Sequence, residues 1–192
     1  MSPVLGIVAG YPVYIFAVTL NLGVAAGLAL AVWLASRRGV APASLLDAAI
    51  WTLPAGLIGA RLLYVAAHWP EYAPNPVTVL SIWEGGLSLA GAITLGLAAA
   101  WVALRIQGVA VGTCLDAAAP GLALGQAIGR LGCLATGCAA GVPVAPGSGW
   151  PWLRLPDSTG LVAARFPSQV VESAGDLVLC AVLLALWSRR PQ

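Results

Sequence analysis

Long apolar stretches, separated by short polar or proline-rich segments, dominate this chain. Each is about 20 residues or longer, the length that an α-helix needs to cross the hydrocarbon core of a bilayer. The stretches lie at about 12–35, 43–67, 86–105, 113–135 and 168–187. The pattern predicts an all-α protein, a polytopic membrane bundle of about five transmembrane helices that forms one domain over residues 1–192.

Two of the intervening segments are long enough to have structure of their own. Residues 69–85 are rich in proline and in aromatic side chains, which indicates an ordered loop at the membrane surface. Residues at about 139–167 form the longest polar segment and contain several prolines and glycines. We expect this second segment to be a loop outside the membrane.

The composition supports the membrane assignment. Apolar residues make up 60% of the 192 residues and charged residues only 8%, whereas soluble domains carry roughly 25% charged residues. There is neither a basic cluster nor a soluble domain to present one, so nucleic acid is excluded as a partner. The first apolar stretch lacks a basic segment before it, and we expect a retained first span rather than a cleaved signal peptide.

The arginines indicate the orientation of the helices. If the N-terminus is outside, five arginines fall at cytoplasmic ends and only Arg154 and Arg165 lie in outside loops. The five are Arg37, Arg38, Arg105, Arg189 and Arg190. Because positive residues concentrate on the cytoplasmic side, the count predicts an N-out, C-in protein of the bacterial inner membrane.

Two further arginines, Arg61 and Arg130, lie inside apolar stretches. A charge in hydrocarbon costs roughly 2.5–3.5 kcal/mol on insertion scales, so each needs an anion, a polar cavity or a carboxylate. In the predicted orientation both lie in the outer halves of their spans. Two interpretations remain open and are compatible: each arginine binds a phosphate, or Arg61 pairs with Glu84 and Arg130 with Glu172.

Several other polar residues are expected in the same outer half. A guanidinium group is suited to phosphate because it is planar, always charged and able to donate two parallel hydrogen bonds. The glycines beside Arg130 either allow close helix packing or expose backbone N–H groups to a ligand. The candidate substrate-binding residues are Arg61, Tyr64, Ser88, Gln126, Gly129, Gly132, Ser168 and Gln169.

The cysteines do not indicate a metal site. Four cysteines and one histidine are too few and too scattered for zinc, and we expect neither a metal nor a cofactor. Cys133 and Cys138 flank the outer end of the fourth stretch. They form a disulfide in an oxidising compartment or remain small buried thiols.

Four motifs occur in an order that resembles a known family. They are GARLLYV at 59–65, IWEGGLS at 82–88, the segment from Asp116 through Pro120 to Gly129-Arg130-Leu131-Gly132, and FPSQVVE at 166–172. Together they resemble bacterial prolipoprotein diacylglyceryl transferase over roughly residues 10–190. The resemblance implies an inner-membrane enzyme that moves the diacylglyceryl group of phosphatidylglycerol onto the lipobox cysteine of a preprolipoprotein. Glycerol phosphate is the by-product, no cofactor is implied, and the oligomeric state is left open.

The resemblance also implies roles for residues. Arg130 matches the family arginine associated with phosphatidylglycerol, while Arg61, Glu84, Gln169 and Glu172 match polar residues of its cavity. Because the departing phosphate needs a cation and the thiol must lose its proton, the implied catalytic residues are Arg130, Glu84 and Glu172.

This sequence departs from the family pattern at several positions. Ala90 and Phe166 stand where the family has histidines, Cys133 and Cys138 replace polar residues after the arginine, and the chain ends where the family has another helix. The main interpretation is a diacylglyceryl transferase-like enzyme. The alternative is a catalytically inactive paralogue that binds lipid or a partner, and a small transporter is the third interpretation.

Overall fold

The computed structural model describes residues 4–8, 11–82, 85–145, 147, 149, 151–157 and 159–189. Helices account for most of these residues, and the five long ones coincide with the five predicted apolar stretches. The helices are α1 (Ile15–Ser36), α2 (Pro42–Ala67), the single turn α3 (Trp69–Tyr72), α4 (Leu89–Ile106), α5 (Val111–Thr136) and α6 (Ser168–Arg189). A 3₁₀ helix at Pro76–Leu80 follows α3, so the predicted loop at 69–85 is indeed ordered over most of its length.

Among the described residues, four helices are long and apolar enough to cross a membrane: α1, α2, α4 and α6. The fifth long helix, α5, has 26 residues, as many as α2. It lacks their hydropathy, since glycines and the polar residues Asp116, Gln126 and Arg130 interrupt its apolar surface. The structure therefore gives a mostly helical protein with four candidate spans and a fifth, more polar helix.

Two antiparallel hairpins accompany the helices. Strand β1 (Val4–Val8) pairs with β2 (Tyr11–Tyr14), and β3 (Leu153–Pro156) pairs with β4 (Val162–Arg165). Residues 142–144 lie along the other edge of β4, because the Val144 N–H donates to Ala164 O and the Phe166 N–H to Val142 O. The expectation of a purely α-helical chain left out both hairpins, whose strands are too short to produce a clear alternating pattern.

The chain forms two compact units. Residues 1–34 and 115–192 form one, called here the split unit, and residues 35–114 form the other, called the central unit. Each unit contains one of the two arginines that lie in apolar helices.

Glycines bring the two long helices of the central unit into contact. A Cβ atom at Gly59 of α2 would collide with the carbonyl oxygen of Gly91 on α4, and a Cβ at Gly91 with that of Gly59. One turn away, a Cβ at Gly96 would lie 3.6 Å from the Cα of Gly56. Small residues of this kind let helix backbones approach closely in lipid, where packing replaces the hydrophobic effect.

The split unit uses the same device between α1 and α5. A Cβ at Gly23 would lie 2.6 Å from the carbonyl oxygen of Gly125, and a Cβ at Gly27 would collide with that of Gly121. Helix α6 is held to α5 by the Ser173 hydroxyl, which donates to Ala127 O at 3.0 Å. The packing interpretation therefore holds for Gly121 and Gly125 in the middle of α5.

Candidate functional site

Arg61 of the central unit is buried and surrounded by backbone carbonyls. Its side chain is directed at the loop after α3, and the residue is 5% exposed. Nε donates to Val79 O at 2.8 Å and Nη2 to Thr78 O at 2.7 Å, while Nη1 donates to Gly85 O at 2.7 Å and Gly86 O at 3.0 Å. Four of the five N–H groups of the guanidinium are thus used by the protein itself.

The loop can close around Arg61 because two of its residues are glycines. Gly85 and Gly86 have φ angles of +90° and +73°, in the left-handed region that side chains disfavour. A Cβ at Gly86 would also lie 2.6 Å from Arg61 Nη1 and 2.7 Å from the ring of Tyr64. The ring centroid of Tyr72 lies 5.1 Å from Arg61 Cζ, a cation–π contact that adds to the cage.

The other predicted residues of this unit also have structural partners. The Tyr64 ring stacks on His68 with 4.2 Å between centroids. Ser88 caps the start of α4, where its hydroxyl oxygen accepts the Gly91 N–H at 3.5 Å. Glu84, the predicted partner of Arg61, lies outside the described residues. Arg61, Tyr64 and Ser88 are therefore brought together around one loop, which the sequence predicted only as an ordered segment.

Arg130 of the split unit is bound differently. Its Nε lies 2.8 Å from Glu172 Oε2, so the predicted ion pair with Glu172 is present. The two side chains are 29% and 45% exposed. Among the described residues, no hydrogen bond joins Nη1 or Nη2 of Arg130 to another group. The pair thus leaves one edge of the guanidinium open to a further anion, and both interpretations of Arg130 remain compatible.

A disulfide spans the turn that ends α5. Of the two alternatives for Cys133 and Cys138, the structure has the disulfide. Gln169, which is 1% exposed, donates from Nε2 to Cys138 O at 3.0 Å. Ser168 Oγ donates to Ala139 O at 2.8 Å. Ser168 and Gln169, both predicted to bind substrate, therefore hold the turn that follows α5.

The remaining predicted residues on α5 differ in their surroundings. A Cβ at Gly132 would collide with the hydroxyl of Thr19 on α1, so Gly132 is a packing residue. A Cβ at Gly129 would meet no described atom within 4 Å, and Gln126 is exposed. Of the predicted residues on α5, all of which the structure describes, Gly129 and Gln126 are the two that leave space for a ligand near Arg130.

The hairpin outside the helices contains a polar cluster that the sequence did not predict. Arg165 is 9% exposed and its Nη2 lies 2.7 Å from Asp157 Oδ2. The Thr159 hydroxyl and the N–H groups of Leu161 and Thr159 also donate to Asp157. These bonds, the Thr159 hydroxyl foremost, and the charge of Arg165 hold the pKa of Asp157 below its usual value despite some desolvation. The cluster fixes the turn of the hairpin.

The comparisons with known proteins identify the family. A family model described as prolipoprotein diacylglyceryl transferase matches residues 3–192. The chain belongs to the prolipoprotein diacylglyceryl transferase family. The predicted resemblance is thus confirmed over nearly the whole chain.

Relatives of this transferase family come from several bacteria. Proteins named phosphatidylglycerol–prolipoprotein diacylglyceryl transferase are 37% identical in Gloeobacter violaceus and 33% identical in Synechocystis sp., over 98% and 97% of this chain. One from Trichormus variabilis is 36% identical over 85% of this chain. The aligned regions span 71%, 66% and 58% of those three proteins, respectively.

Proposed function

We propose that this protein transfers the diacylglyceryl group of phosphatidylglycerol to the thiol of a lipobox cysteine in a preprolipoprotein. The observation that carries the proposal is Arg130, which combines the glycine–arginine motif with a guanidinium edge that no described residue occupies. The names of the relatives support the same reaction. The partners in this proposal are phosphatidylglycerol, the surrounding membrane lipid and the lipobox segment.

The proposed location is the bacterial cytoplasmic (inner) membrane, with the whole chain as one domain. Helix α5 would be the fifth span, because its 26 residues give about 39 Å of helix at 1.5 Å per residue. The arginine count favours the N-out, C-in orientation. Arg130, Glu172 and the loop at about 139–167 then lie near the outer surface, where the lipobox cysteine of an exported protein is accessible.

The chemistry requires a cation at the leaving group. The thiolate sulfur attacks the glycerol carbon that is bonded to the phosphate oxygen, so a C–S bond forms, the C–O bond breaks and glycerol phosphate departs. Negative charge grows on the departing phosphate, and donors aimed at it stabilise the transition state. Glu172 fixes Nε of Arg130, so the guanidinium presents its terminal nitrogens to the phosphate.

The thiol must lose its proton before attack, since the thiolate is the nucleophile. Two carboxylates, Glu84 and Glu172, are the proposed proton acceptors in this chain. The proposed binding residues are Arg61, Tyr64, Ser88, Gln126, Gly129, Gly132, Ser168 and Gln169. For Arg61 we propose a supporting role, because four of its five N–H groups already bind carbonyls.

A second candidate function is lipid binding without turnover. It is favoured by Ala90, which stands where the family pattern has a histidine and therefore offers no proton acceptor. In this case Arg130 would still bind phosphatidylglycerol, and no lipoprotein would be modified.

The experiment that decides is complementation. The protein is expressed in cells depleted of their own transferase, and diacylglyceryl modification of a reporter lipoprotein is followed by mass spectrometry. We expect modification by the parent, modification at the empty-vector level with Arg130→Ala, and parental activity with Arg154→Ala, a matched change at an exposed arginine. No modification by the parent, together with Arg130-dependent binding of phosphatidylglycerol, would support the second candidate instead.

A further inference from the structure

The disulfide and the Arg130–Glu172 pair belong to one closed ring of interactions. Arg130 and Cys133 lie one turn apart on α5, and the disulfide joins Cys133 to Cys138. Gln169 Nε2 donates to Cys138 O at 3.0 Å, and Gln169 lies one turn before Glu172 on α6. The ion pair of Glu172 with Arg130, 2.8 Å long, completes the ring. Any movement of one link must therefore be absorbed by the others.

The turn inside this ring has a strained backbone. Ala139 has a φ of +52°, the left-handed region that a residue with a side chain seldom adopts. Gly137 has a φ of +75°, and a Cβ there would lie 2.5 Å from Asp157 O. Such a conformation persists only where surrounding links determine it. Here the links are the disulfide and the hydrogen bonds from Ser168 and Gln169.

Apart from the backbone, the disulfide is the only covalent link in the ring. The hydrogen bond from Gln169 reaches the carbonyl of Cys138 itself, so its geometry depends on where the disulfide holds that residue. The Thr136 hydroxyl lies 3.4 Å from Cys138 Sγ and donates also to Gly132 O at 3.1 Å, which ties the sulfur to the last turn of α5. Opening the disulfide would remove one of the constraints on Cys138, the residue whose carbonyl binds Gln169 at the start of α6.

We propose that the Cys133–Cys138 disulfide is a positioning element for the Arg130–Glu172 pair, so that phosphatidylglycerol binds well only to the oxidised protein. This inference rests on the proposed function for its substrate, but it concerns the chain's own geometry. The disulfide does not touch the reacting atoms; it acts through Glu172 on the orientation of the arginine.

The first test counts thiols. The protein is isolated from membranes, denatured without reductant and labelled with a maleimide reagent that shifts its mobility. We expect two labelled cysteines, Cys114 and Cys180, which are the free ones in the structure, and four after reduction. Four labelled cysteines without reductant would overturn the proposal.

The second test measures how reduction of the disulfide changes the kinetics with phosphatidylglycerol. Dithiothreitol reduces the disulfide to two thiols and becomes its own cyclic disulfide, and oxidised glutathione then re-forms the bond. We expect reduction to raise the KM for phosphatidylglycerol about tenfold and to lower kcat as well, because Arg130 both binds the substrate phosphate and stabilises it as it departs. Re-oxidation should restore the original KM, a reversal that general damage to the fold would not show.

Variants separate the disulfide from other thiol effects. Cys133→Ala with Cys138→Ala should have the raised KM and no response to dithiothreitol, whereas Cys114→Ala with Cys180→Ala should behave like the parent. Gln169→Leu keeps the disulfide but removes the hydrogen bond to Cys138, and it should raise the KM in the same direction. If the double alanine variant at 133 and 138 does not fold, the reduction and re-oxidation of the parent decide.

A binding measurement makes the two proposals distinguishable. Native mass spectrometry of the purified protein with phosphatidylglycerol, and with phosphatidylcholine as the zwitterionic control, needs no turnover. If the parent transfers nothing in either redox state, the proposed function fails, while a tenfold weaker binding of phosphatidylglycerol after reduction would still support positioning. Unchanged KM and binding after verified reduction would overturn the positioning role.

Discussion

Arg61 and Arg130 have the same side chain and lie on helices of equal length, but their surroundings are opposite. Backbone carbonyls accept hydrogen bonds from four of the five N–H groups of Arg61, which is 5% exposed. No described carboxylate contacts it. Arg130 has a carboxylate at one edge and an open second edge, with 29% of its side chain exposed. From this comparison we infer that an arginine within a helix indicates a ligand only if some of its N–H groups have no partner in the protein. By that criterion we expect Arg61 to be structural and Arg130 to be functional.

The largest effect is expected from removing the caged arginine. Arg61→Met leaves four carbonyls without their donor, and we expect a loss of about 3–5 kcal/mol of stability because unsatisfied buried polar groups are costly. Thermal inactivation of the protein in detergent measures this, with Arg130→Met as the matched control. If Arg61→Met is as stable as the parent but does not bind phosphatidylglycerol, Arg61 is a binding residue and the contrast fails.

The reciprocal change should spare the fold and remove the activity. For Arg130→Gln we expect transfer to fall by about 10²–10³-fold, the usual cost of removing a donor to a charged transition state. The melting temperature should stay close to that of the parent, since exposed ion pairs contribute only about 0–1 kcal/mol. Initial rates with purified protein and a lipobox peptide measure the first quantity. Parental rates with Arg130→Gln would remove Arg130 from the proposed site.

Two glycines, one beside each arginine, extend the comparison to the backbone. Gly86→Ala forces a side chain into a left-handed residue 2.6 Å from Arg61 Nη1, and we expect about 1–3 kcal/mol of destabilisation. Gly129→Ala adds a methyl group within a helix where no described atom lies within 4 Å, so the fold should be unaffected or slightly more stable. The same methyl group should weaken phosphatidylglycerol binding if the lipid lies against Gly129.

Chemical denaturation of both glycine variants, followed by native mass spectrometry with the lipid, tests the pair. A stable Gly86→Ala variant would show that the loop around Arg61 is adaptable. Unchanged lipid binding by Gly129→Ala would move the proposed site away from that face of α5.

The sequence was sufficient to predict the long helices, because an apolar run of about 20 residues has few alternative structures. Their predicted ends lie within about three residues of the observed ones. The Arg130–Glu172 pair was predictable because the carboxylate lies near the start of the next long helix, α6. The cage of Arg61 was not, since backbone carbonyls carry no sequence signal, although the Gly85-Gly86 pair was a visible sign of an unusual loop. The disulfide was left open because spacing alone does not place two sulfur atoms together.

A third arginine, Arg165, tests whether pairing with a carboxylate or an exposed guanidinium edge sets Arg130 apart. The expected changes in melting temperature and transfer rate are the smallest of this series. Like Arg130 it pairs with a carboxylate, but it is 9% exposed and donates also to Gly141 O at 3.3 Å. If exposure of the open edge makes Arg130 functional, Arg165 should be structural only. Asp157→Asn should then lower the melting temperature slightly and leave the transfer rate unchanged.

The pH dependence of the difference in melting temperature between the parent and Asp157→Asn shows whether the charge of Asp157 stabilises the hairpin. Because folding lowers the pKa of Asp157, the carboxylate stabilises the fold above its unfolded pKa of about 3.9, and this stabilisation is lost as the pH falls through the depressed value. The gap in melting temperature between the parent and Asp157→Asn should therefore be full at pH 6 and shrink once the pH falls below about 4. A gap that does not change with pH would mean that shape, rather than charge, holds the hairpin. Reduced transfer by Asp157→Asn at pH 6 would mean that a buried arginine–carboxylate pair also serves the reaction, and exposure would no longer separate Arg130 from the rest.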